Sequence, residues 1–224
     1  MRILDLSHPI SAEMSVYPGS PGPILQPLAI DGAPGMRETS LTLSSHTGTH
    51  VDAPLHMLPQ GPGLDQMTID KFFGLALLIN VSHLRGKTIE LNFLRSFGER
   101  LADAKFLVFH TGYQQLWGKE EYLRDFPVMT EEAAQWLSGF DLNGVGVDAI
   151  SVDPIDSTAY PIHKILFQQN LILVENLNNL DRLSAGITKV HGGYFLLSAM
   201  PLSFAQADGS PVRAIGYDVP EMLI

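Results

Sequence analysis

The stretch His46-Thr-Gly-Thr-His-Val-Asp-Ala-Pro-Leu-His56 contains three of the eight histidines of the chain, and one aspartate lies among them. Imidazole and carboxylate groups are the ligands that zinc and other borderline divalent metals prefer. Such a density of ligand-type side chains in one short segment predicts a metal site rather than a solvated polar loop.

The same stretch favours extended chain over a helix. Three β-branched residues alternate along it, Gly48 interrupts it and Pro54 ends it. In a strand, His50 and Asp52 share one face about 6.6 Å apart and can meet at one ion. His46 would lie about 13 Å from His50 in a straight strand. Either the chain bends at Gly48, or His46 serves a second ion.

Composition limits the class of protein. With 224 residues, 45% hydrophobic and 17% charged, the chain has the composition of a folded globular protein and is long enough for one sizeable core or at most two small ones; of these we expect one domain, spanning residues 1–224. The absence of cysteine excludes disulfides, thiolate ligands and cysteine nucleophiles. A net charge of −10 without a basic run argues against nucleic-acid binding. We see no secretory leader and no apolar run that would span a membrane, so a cytoplasmic location is expected.

Hydrophobic patterning predicts an α/β fold. Near-continuous apolar runs indicate buried strands, and helical spacing or a capping residue such as Thr130 indicates helices between them. The segment 16–35 is rich in proline and glycine and is expected to be a surface loop. The predicted strands lie at 3–8, 38–45, 76–82, 105–111, 144–150, 171–175 and 193–200, and the predicted helices at 69–73, 91–101, 130–137 and 163–169.

The histidine-rich motif resembles that of the cyclase family of metal-dependent hydrolases, which includes bacterial kynurenine formamidases and isatin hydrolases. Further segments carry the resemblance over nearly the whole chain: Thr111-Gly-Tyr, Gly146-Val-Asp-Ala-Ile-Ser-Val-Asp153, His163, Glu175-Asn-Leu, Pro201-Leu and Asp208-Gly-Ser-Pro-Val-Arg213. The resemblance implies a swivelling β/β/α-barrel-like fold. It also implies that Tyr17-Pro-Gly-Ser-Pro lines the substrate pocket instead of forming an ordinary surface loop.

The resemblance also completes the candidate site. From the residues alone, His163 and Glu175 are equally consistent with a capping histidine and an ion-paired glutamate. The resemblance implies that both bind metal. His56 lies beyond Pro54 and is expected to act as the general acid/base, because its ordinary pKa is near neutrality. The expected metal ligands are His46, His50, Asp52, His163 and Glu175, which would hold two Zn²⁺ per chain, with Mn²⁺ as an alternative.

These residues lead to an expected activity. The chain is expected to be an arylformamidase that hydrolyses N-formyl-L-kynurenine to L-kynurenine and formate, a step of tryptophan catabolism. Isatin hydrolases of the family tend to carry Gln where this chain has Glu175, and a fixed carboxylate favours two cations. The alternatives are a lactam hydrolase of the isatin type and a non-enzymatic binding protein in which the metal only stabilises a loop. The family is typically oligomeric, so a homo-oligomer (dimer or tetramer) is expected.

Other polar residues are expected to have structural roles. His8, His83, His110 and His191 lack acidic or histidine neighbours at ligand spacing. Asp148 and Asp153, at the end of a predicted strand, are expected to serve in turns and helix caps.

Overall fold

A curled nine-stranded sheet forms the frame of the molecule in the computed structural model, which describes residues 2–32, 35–186, 188 and 192–218. The strands are β1 (Ile3–Asp5), β2 (Ile24–Leu28), β3 (Glu38–Thr42), β4 (His50–Asp52), β5 (Phe73–Asn80), β6 (Thr88–Ile89), β7 (Phe106–His110), β8 (Val128–Met129), β9 (Gly144–Val147), β10 (Ile172–Glu175), β11 (Tyr194–Ser198), β12 (Gly209–Pro211) and β13 (Ile215–Tyr217).

The large sheet is mixed. Its order is β1-β13-β11-β5-β7-β9-β10-β4-β12, in which β5, β7, β9 and β10 run parallel and the outer strands pair antiparallel. Parallel neighbours need a crossover, and helices supply it here. The α-helices are α1 (Leu91–Arg95), α2 (Gly98–Leu101), α3 (Glu131–Leu137), α4 (Pro161–Phe167) and α5 (Leu180–Ala185). Short 3-10 helices cover Pro54–His56, Leu64–Gln66, Ile69–Phe72, Ser82–Leu84, Tyr113–Leu116 and Glu120–Leu123.

The sheet buries both of its faces. Side chains alternate along each strand, so Leu107 points to one core and Val108 to the other. The first core packs helices α1 to α4 against the sheet, and the second packs α5 and the edge elements against it. Burial on both faces explains why the central strands read as continuous apolar runs.

The α/β, barrel-like fold expected from the sequence is confirmed, since the sheet curls into a half-barrel. Thr130 caps α3 as predicted, with its hydroxyl oxygen accepting from the Ala133 amide at 3.2 Å. The helix predicted over 91–101 is instead two helices separated before Gly98, a residue with low helix propensity. The strands predicted at 3–8 and 38–45 end earlier, at Asp5 and Thr42.

The strands and α-helices that were not predicted are β2, β6, β8, β12, β13 and α5. Strands β6, β8, β12 and β13 have only two or three residues each, and no long apolar run marks them. Strand β2 lies within the segment rich in proline and glycine. Among the described residues it pairs only with β3, as an exposed hairpin outside the large sheet. Among the described residues, no helix is both long enough and apolar enough to cross a lipid bilayer.

Candidate metal centre

Strand pairing places two of the candidate ligands side by side. In the antiparallel ladder between β4 and β10, His50 lies directly opposite Glu175, and Asp52 lies opposite Leu173. Residues opposite each other in such a ladder point to the same face. The His50 ring and the two carboxylates of Asp52 and Glu175 therefore project together, and all three side chains are buried.

A bend brings His46 to the same place. Gly48 adopts a positive φ of 66°, and the strand begins only at His50. The His46 Nδ1 atom lies 2.6 Å from Asp52 Oδ1, and the His46 and His50 ring centroids are 5.1 Å apart. Of the two alternatives for His46, the structure shows the bend, so distance does not prevent His46 and His50 from sharing an ion.

Asp52 belongs to two overlapping groups of ligand-type atoms. The first group is His46, His50 and Asp52, and His50 Nε2 lies 3.1 Å from Asp52 Oδ1. The second group is Asp52, His163 and Glu175, in which His163 Nε2 lies 3.5 Å from Glu175 Oε1 and 4.0 Å from Asp52 Oδ2. Within each group, the ligand-type atoms lie within 4.8 Å of one another. The five predicted ligands thus meet at one place, with the Asp52 carboxylate between the groups.

In each of His46, His50 and His163, the ring nitrogen that points away from the centre makes a hydrogen bond to an acceptor. His163 Nδ1 lies 2.6 Å from Asp153 Oδ2, and His46 Nε2 lies 3.1 Å from Asp208 Oδ2. His50 Nδ1 donates to the backbone carbonyl of Gly48 at 2.8 Å. Acceptors of this kind fix the ring orientation and tautomer, so that the other nitrogen faces the centre.

Asp153 connects the ring of His163 to the start of α4. Its two carboxylate oxygens accept the backbone amides of Ile162 and His163, each at 3.0 Å. The expected capping role of Asp153 is confirmed. The same carboxylate also orients His163, a second role that sequence reasoning missed.

The electrostatic potential in the centre favours positive charge. Burial alone would lower the pKa of His163, but its hydrogen bond to Asp153 and the nearby carboxylate of Glu175 outweigh burial and raise that pKa to about 10. Burial likewise opposes the charged form of His46, while Asp52 and Asp208 raise its pKa to about 9. Despite its burial, the pKa of the Asp52 carboxyl is held well below its usual range by the neighbouring histidines.

A divalent cation fits this arrangement. Burial and the nearby Asp52 raise the pKa of Glu175, and its Oε1 accepts no hydrogen bond from any described residue. A buried carboxylate oxygen without a donor is costly unless a cation lies beside it. The donor atoms are imidazole nitrogens and carboxylate oxygens, the set that zinc, manganese and related ions accept.

His56 stands at the rim of the centre. It ends the 3-10 helix Pro54–His56, its ring centroid lies 3.9 Å from that of His46, and its side chain is partly exposed. Burial, together with the nearby His46 and His163, lowers the pKa of His56 to about 4, against the opposing effect of Asp52. The ring is neutral at pH 7 in this setting.

Asp208 is the site residue that sequence reasoning missed. Its Oδ2 lies 3.8 Å from His56 Nδ1, and it forms a third group of ligand-type atoms with His46 and His56. The pairing of β12 with β4 places Gly209 opposite Asp52 and so brings Asp208 to the rim. The only signal in the sequence was its position at the head of a segment shared with the cyclase family.

A cavity of about 210 Å³ opens onto the centre. Tyr17 and Ser20, from the segment expected to be either a surface loop or a pocket wall, line it together with Tyr160 and His56. The Tyr17 hydroxyl donates to the Ile155 carbonyl at 3.2 Å, which ties this segment to the body of the protein. Two residues of the segment thus line the cavity, as the pocket-wall alternative implies, while Pro18, Gly19 and Pro21 are exposed, as in a surface loop.

The remaining histidines lie apart from the centre. His8 is buried and stacks on Trp117, and His83 packs against Phe93. Together with the buried His110, they belong to none of the groups of ligand-type atoms found among the described residues. His191 lies outside the described residues.

Asp148 accepts hydrogen bonds from the backbone amides of Thr111 and Gly112 and so stabilises a turn, as expected.

Comparison with known proteins agrees with the geometry. The family model described as "Putative cyclase" matches residues 4–154. A kynurenine formamidase from Bacillus cereus is 32% identical over 214 residues, which cover 95% of each chain. Cyclase-like protein 2 from Oryza sativa is 34% identical over 222 residues, covering 96% of this chain and 78% of the rice protein.

Solved structures share the fold. Isatin hydrolase A from Ralstonia solanacearum superposes with a TM-score of 0.81 at 23% identity, covering 96% of this chain and 91% of that one. A protein from Bacillus stearothermophilus, described as a predicted metal-dependent hydrolase, superposes with a TM-score of 0.77 at 25% identity, covering 97% and 98%. By the family model, the identities and the coverage, this chain belongs to the cyclase family.

Proposed function

We propose that this protein is a metal-dependent amidohydrolase whose substrate is an aryl formamide, N-formyl-L-kynurenine. The observation that carries the proposal is the pair of overlapping groups joined by Asp52, which open into a cavity with His56 at its rim. The kynurenine formamidases among the relatives, at about 32% identity, support this choice of substrate.

The five residues His46, His50, Asp52, His163 and Glu175 would hold two Zn²⁺ ions, with Asp52 shared between them; Mn²⁺ is the alternative. When bound, such ions polarise the substrate carbonyl and lower the pKa of water to about 7. Catalytic zinc sites keep an open position, whereas structural sites are closed by four protein ligands, often cysteine. A chain without cysteine and with a cavity beside the centre favours the catalytic kind.

His56 is the residue for proton transfer. It lines the cavity, and its ring is not enclosed by buried carboxylates as that of His163 is. His56 takes a proton from the water that attacks the formyl carbon. It returns that proton to the aryl nitrogen as the carbon–nitrogen bond breaks, so the products are formate and the free arylamine.

The cavity wall suits an aromatic substrate. Tyr17 and Tyr160 both line the cavity, and their hydroxyls lie 3.4 Å apart. Aromatic rings offer a large apolar contact area to an aryl group. The hydroxyl contact, together with the bond from Tyr17 to the Ile155 carbonyl, holds this wall in place.

A second candidate is a lactam hydrolase of the isatin type, which the structural similarity to isatin hydrolase A supports. The two activities differ in the bond that is cleaved: a formamidase cleaves an acyclic formyl amide, and a lactam hydrolase cleaves an amide within a ring. The carboxylate of Glu175, where isatin hydrolases tend to carry glutamine, supports the formamidase.

Kinetics on the zinc-loaded protein test the proposal. We expect a higher kcat/KM for N-formyl-L-kynurenine than for isatin, and no turnover after the metal is removed with a chelator. Turnover of isatin alone would assign the second function. A His56→Ala variant that keeps its metal and loses turnover excludes the third alternative, a metal that only staples a loop. Full turnover without His56 would contradict its role.

A further inference from the structure

Behind the metal centre, Tyr122 makes a hydrogen bond to Asn176. The side chain is fully buried, and its hydroxyl lies 2.7 Å from Asn176 Oδ1. Burial, together with the carboxylates of Asp148 and Glu175, raises the pKa of Tyr122 well above its usual range. The hydroxyl therefore keeps its proton and is available as a donor.

The environment of Asn176 fixes the orientation of its amide. Its Nδ2 lies 2.9 Å from the backbone carbonyl of Gly48, which can only accept. The amide nitrogen therefore faces Gly48 and the amide oxygen faces Tyr122, whose hydroxyl donates to it. The backbone of Asn176 is held as well, since its carbonyl accepts from the Thr49 hydroxyl at 2.6 Å.

The carbonyl of Gly48 is the junction of this network. It accepts from Asn176 Nδ2 at 2.9 Å and from His50 Nδ1 at 2.8 Å. Both nitrogens are donors, so the 3.4 Å between them reflects their convergence on one oxygen. This oxygen lies at the bend where Gly48 has its positive φ, and it sets the rotation of the His50 ring.

We propose that Tyr122 is a positioning residue for His50, acting through Asn176 and the Gly48 carbonyl to hold His50 Nε2 toward Asp52 and Glu175. The proposal rests on the proposed function only in taking His50 as a metal ligand. Outer partners of ligand histidines typically change metal affinity about 10–100-fold when they are lost. Without the hydroxyl, Asn176 Oδ1 is buried without a donor, and its amide loses the contact that fixes it.

The chain offers a matched control for a test. Tyr113 is also buried, with 1% of its surface exposed, but its hydroxyl has no hydrogen-bond partner among the described residues. We expect Tyr122→Phe to weaken zinc binding about tenfold in competition with a chelating dye, the low end of the range for direct outer partners, because the Gly48 carbonyl still accepts from His50. Tyr113→Phe should leave zinc binding within about twofold of the wild type, because it removes no hydrogen bond.

A second comparison tests the route of the effect. Asn176 has a φ of 57°, which glycine adopts without strain, so Asn176→Gly removes the amide and keeps the backbone. If Tyr122 acts through Asn176, adding Tyr122→Phe to Asn176→Gly should change zinc affinity no further. Additive losses in the double variant would contradict the proposed route.

A measurement on the metal-free protein separates this inference from the proposed function. The hydrogen-bonded Nδ1 proton of His50 should give a proton NMR resonance that is absent in His50→Gln. We expect it to exchange with water at least about tenfold faster in Tyr122→Phe than in Tyr113→Phe, as protection falls with local opening. Unchanged exchange and unchanged zinc affinity would overturn the inference. A wild type that binds zinc without hydrolysing formamides would overturn the proposed function alone.

Discussion

Glu175 lies directly opposite His50 in the ladder between β10 and β4, with Glu175 Oε2 at 3.7 Å from His50 Nε2. Strand pairing holds this pair of side chains in place, in contrast to the loop that carries His46. On the buried face of the ladder, the charged side chains near Glu175 among the described residues are His50, His163 and Asp52.

Glu175→Gln keeps the size of this side chain and removes its charge. We expect the bound metal to fall from two ions per chain to one, because the group of Asp52, His163 and Glu175 loses its second carboxylate. Elemental analysis after dialysis measures this number. The exposed Glu121→Gln is the control, and two tightly held ions in Glu175→Gln would show that the carboxylate is not a ligand.

Gly209 makes room for His46. A Cβ at this position would lie 2.5 Å from His46 Cε1 and 2.9 Å from Nδ1. We expect Gly209→Ala to displace the ring and weaken zinc binding by more than about tenfold, as misplaced ligands do.

Gly22→Ala is the matched control for that change, because a Cβ there meets open space and no positive φ is involved. Calorimetry with zinc measures both affinities. If Gly209→Ala binds zinc as the wild type does, His46 is not needed in its observed position.

His8 is expected to make stability depend on pH. Burial lowers its pKa to about 4, and its ring stacks on Trp117 with centroids 4.1 Å apart. Asp5 and Arg213, in the same groove, pair with each other. The unfolded chain binds the His8 proton near pH 6.5 and the folded chain near pH 4. Neutral His8 therefore contributes about 3 kcal/mol to the free energy of unfolding above pH 6.5, and this contribution is lost as the pH falls to 4.

His8→Phe keeps an aromatic ring on Trp117 and removes this titration. The loss of unfolding free energy between pH 7 and pH 4, measured in urea on metal-free protein, should be smaller in the variant by about 3 kcal/mol. An equal loss of unfolding free energy in the two proteins between pH 7 and pH 4 would mean that His8 does not stay neutral in the folded state.

The β2–β3 hairpin is expected to contact a second copy of the chain. Among the strands of the described residues it pairs with no other, and it exposes the large apolar side chains Ile24, Leu25, Leu28 and Leu41. Exposed apolar patches of this kind mark interfaces. Light scattering should give a dimer or tetramer of the 24.5 kDa chain, and Leu41→Lys should lower that mass. A monomeric wild type would contradict the expected homo-oligomer.

The sequence was sufficient for the parts of this molecule that follow local patterns. The apolar runs mark the central strands, and the alternation of His50 and Asp52 gives their common face. The place of His46 depended on whether the chain bends at Gly48, and the pattern left that open. Glycine permits a bend without requiring one.

Residues that join the site through tertiary structure were not predictable. Asp208 reaches His46 because β12 pairs with β4, and the Gly209-Ser-Pro sequence of β12 has no apolar alternation that would indicate a strand. Tyr122 and Asn176 meet across 54 residues of sequence, by a single hydrogen bond that no periodicity encodes. Such contacts depend on how elements pack, which local patterns do not determine.

The number of zinc ions bound per chain, measured by elemental analysis after zinc loading and dialysis, tests the central claim most directly. We expect two ions in the wild type and none in Asp52→Ala, because Asp52 is common to both groups of ligand-type atoms. A single ion in the wild type would contradict the shared role of Asp52. A wild type that holds no metal would contradict the metal centre itself.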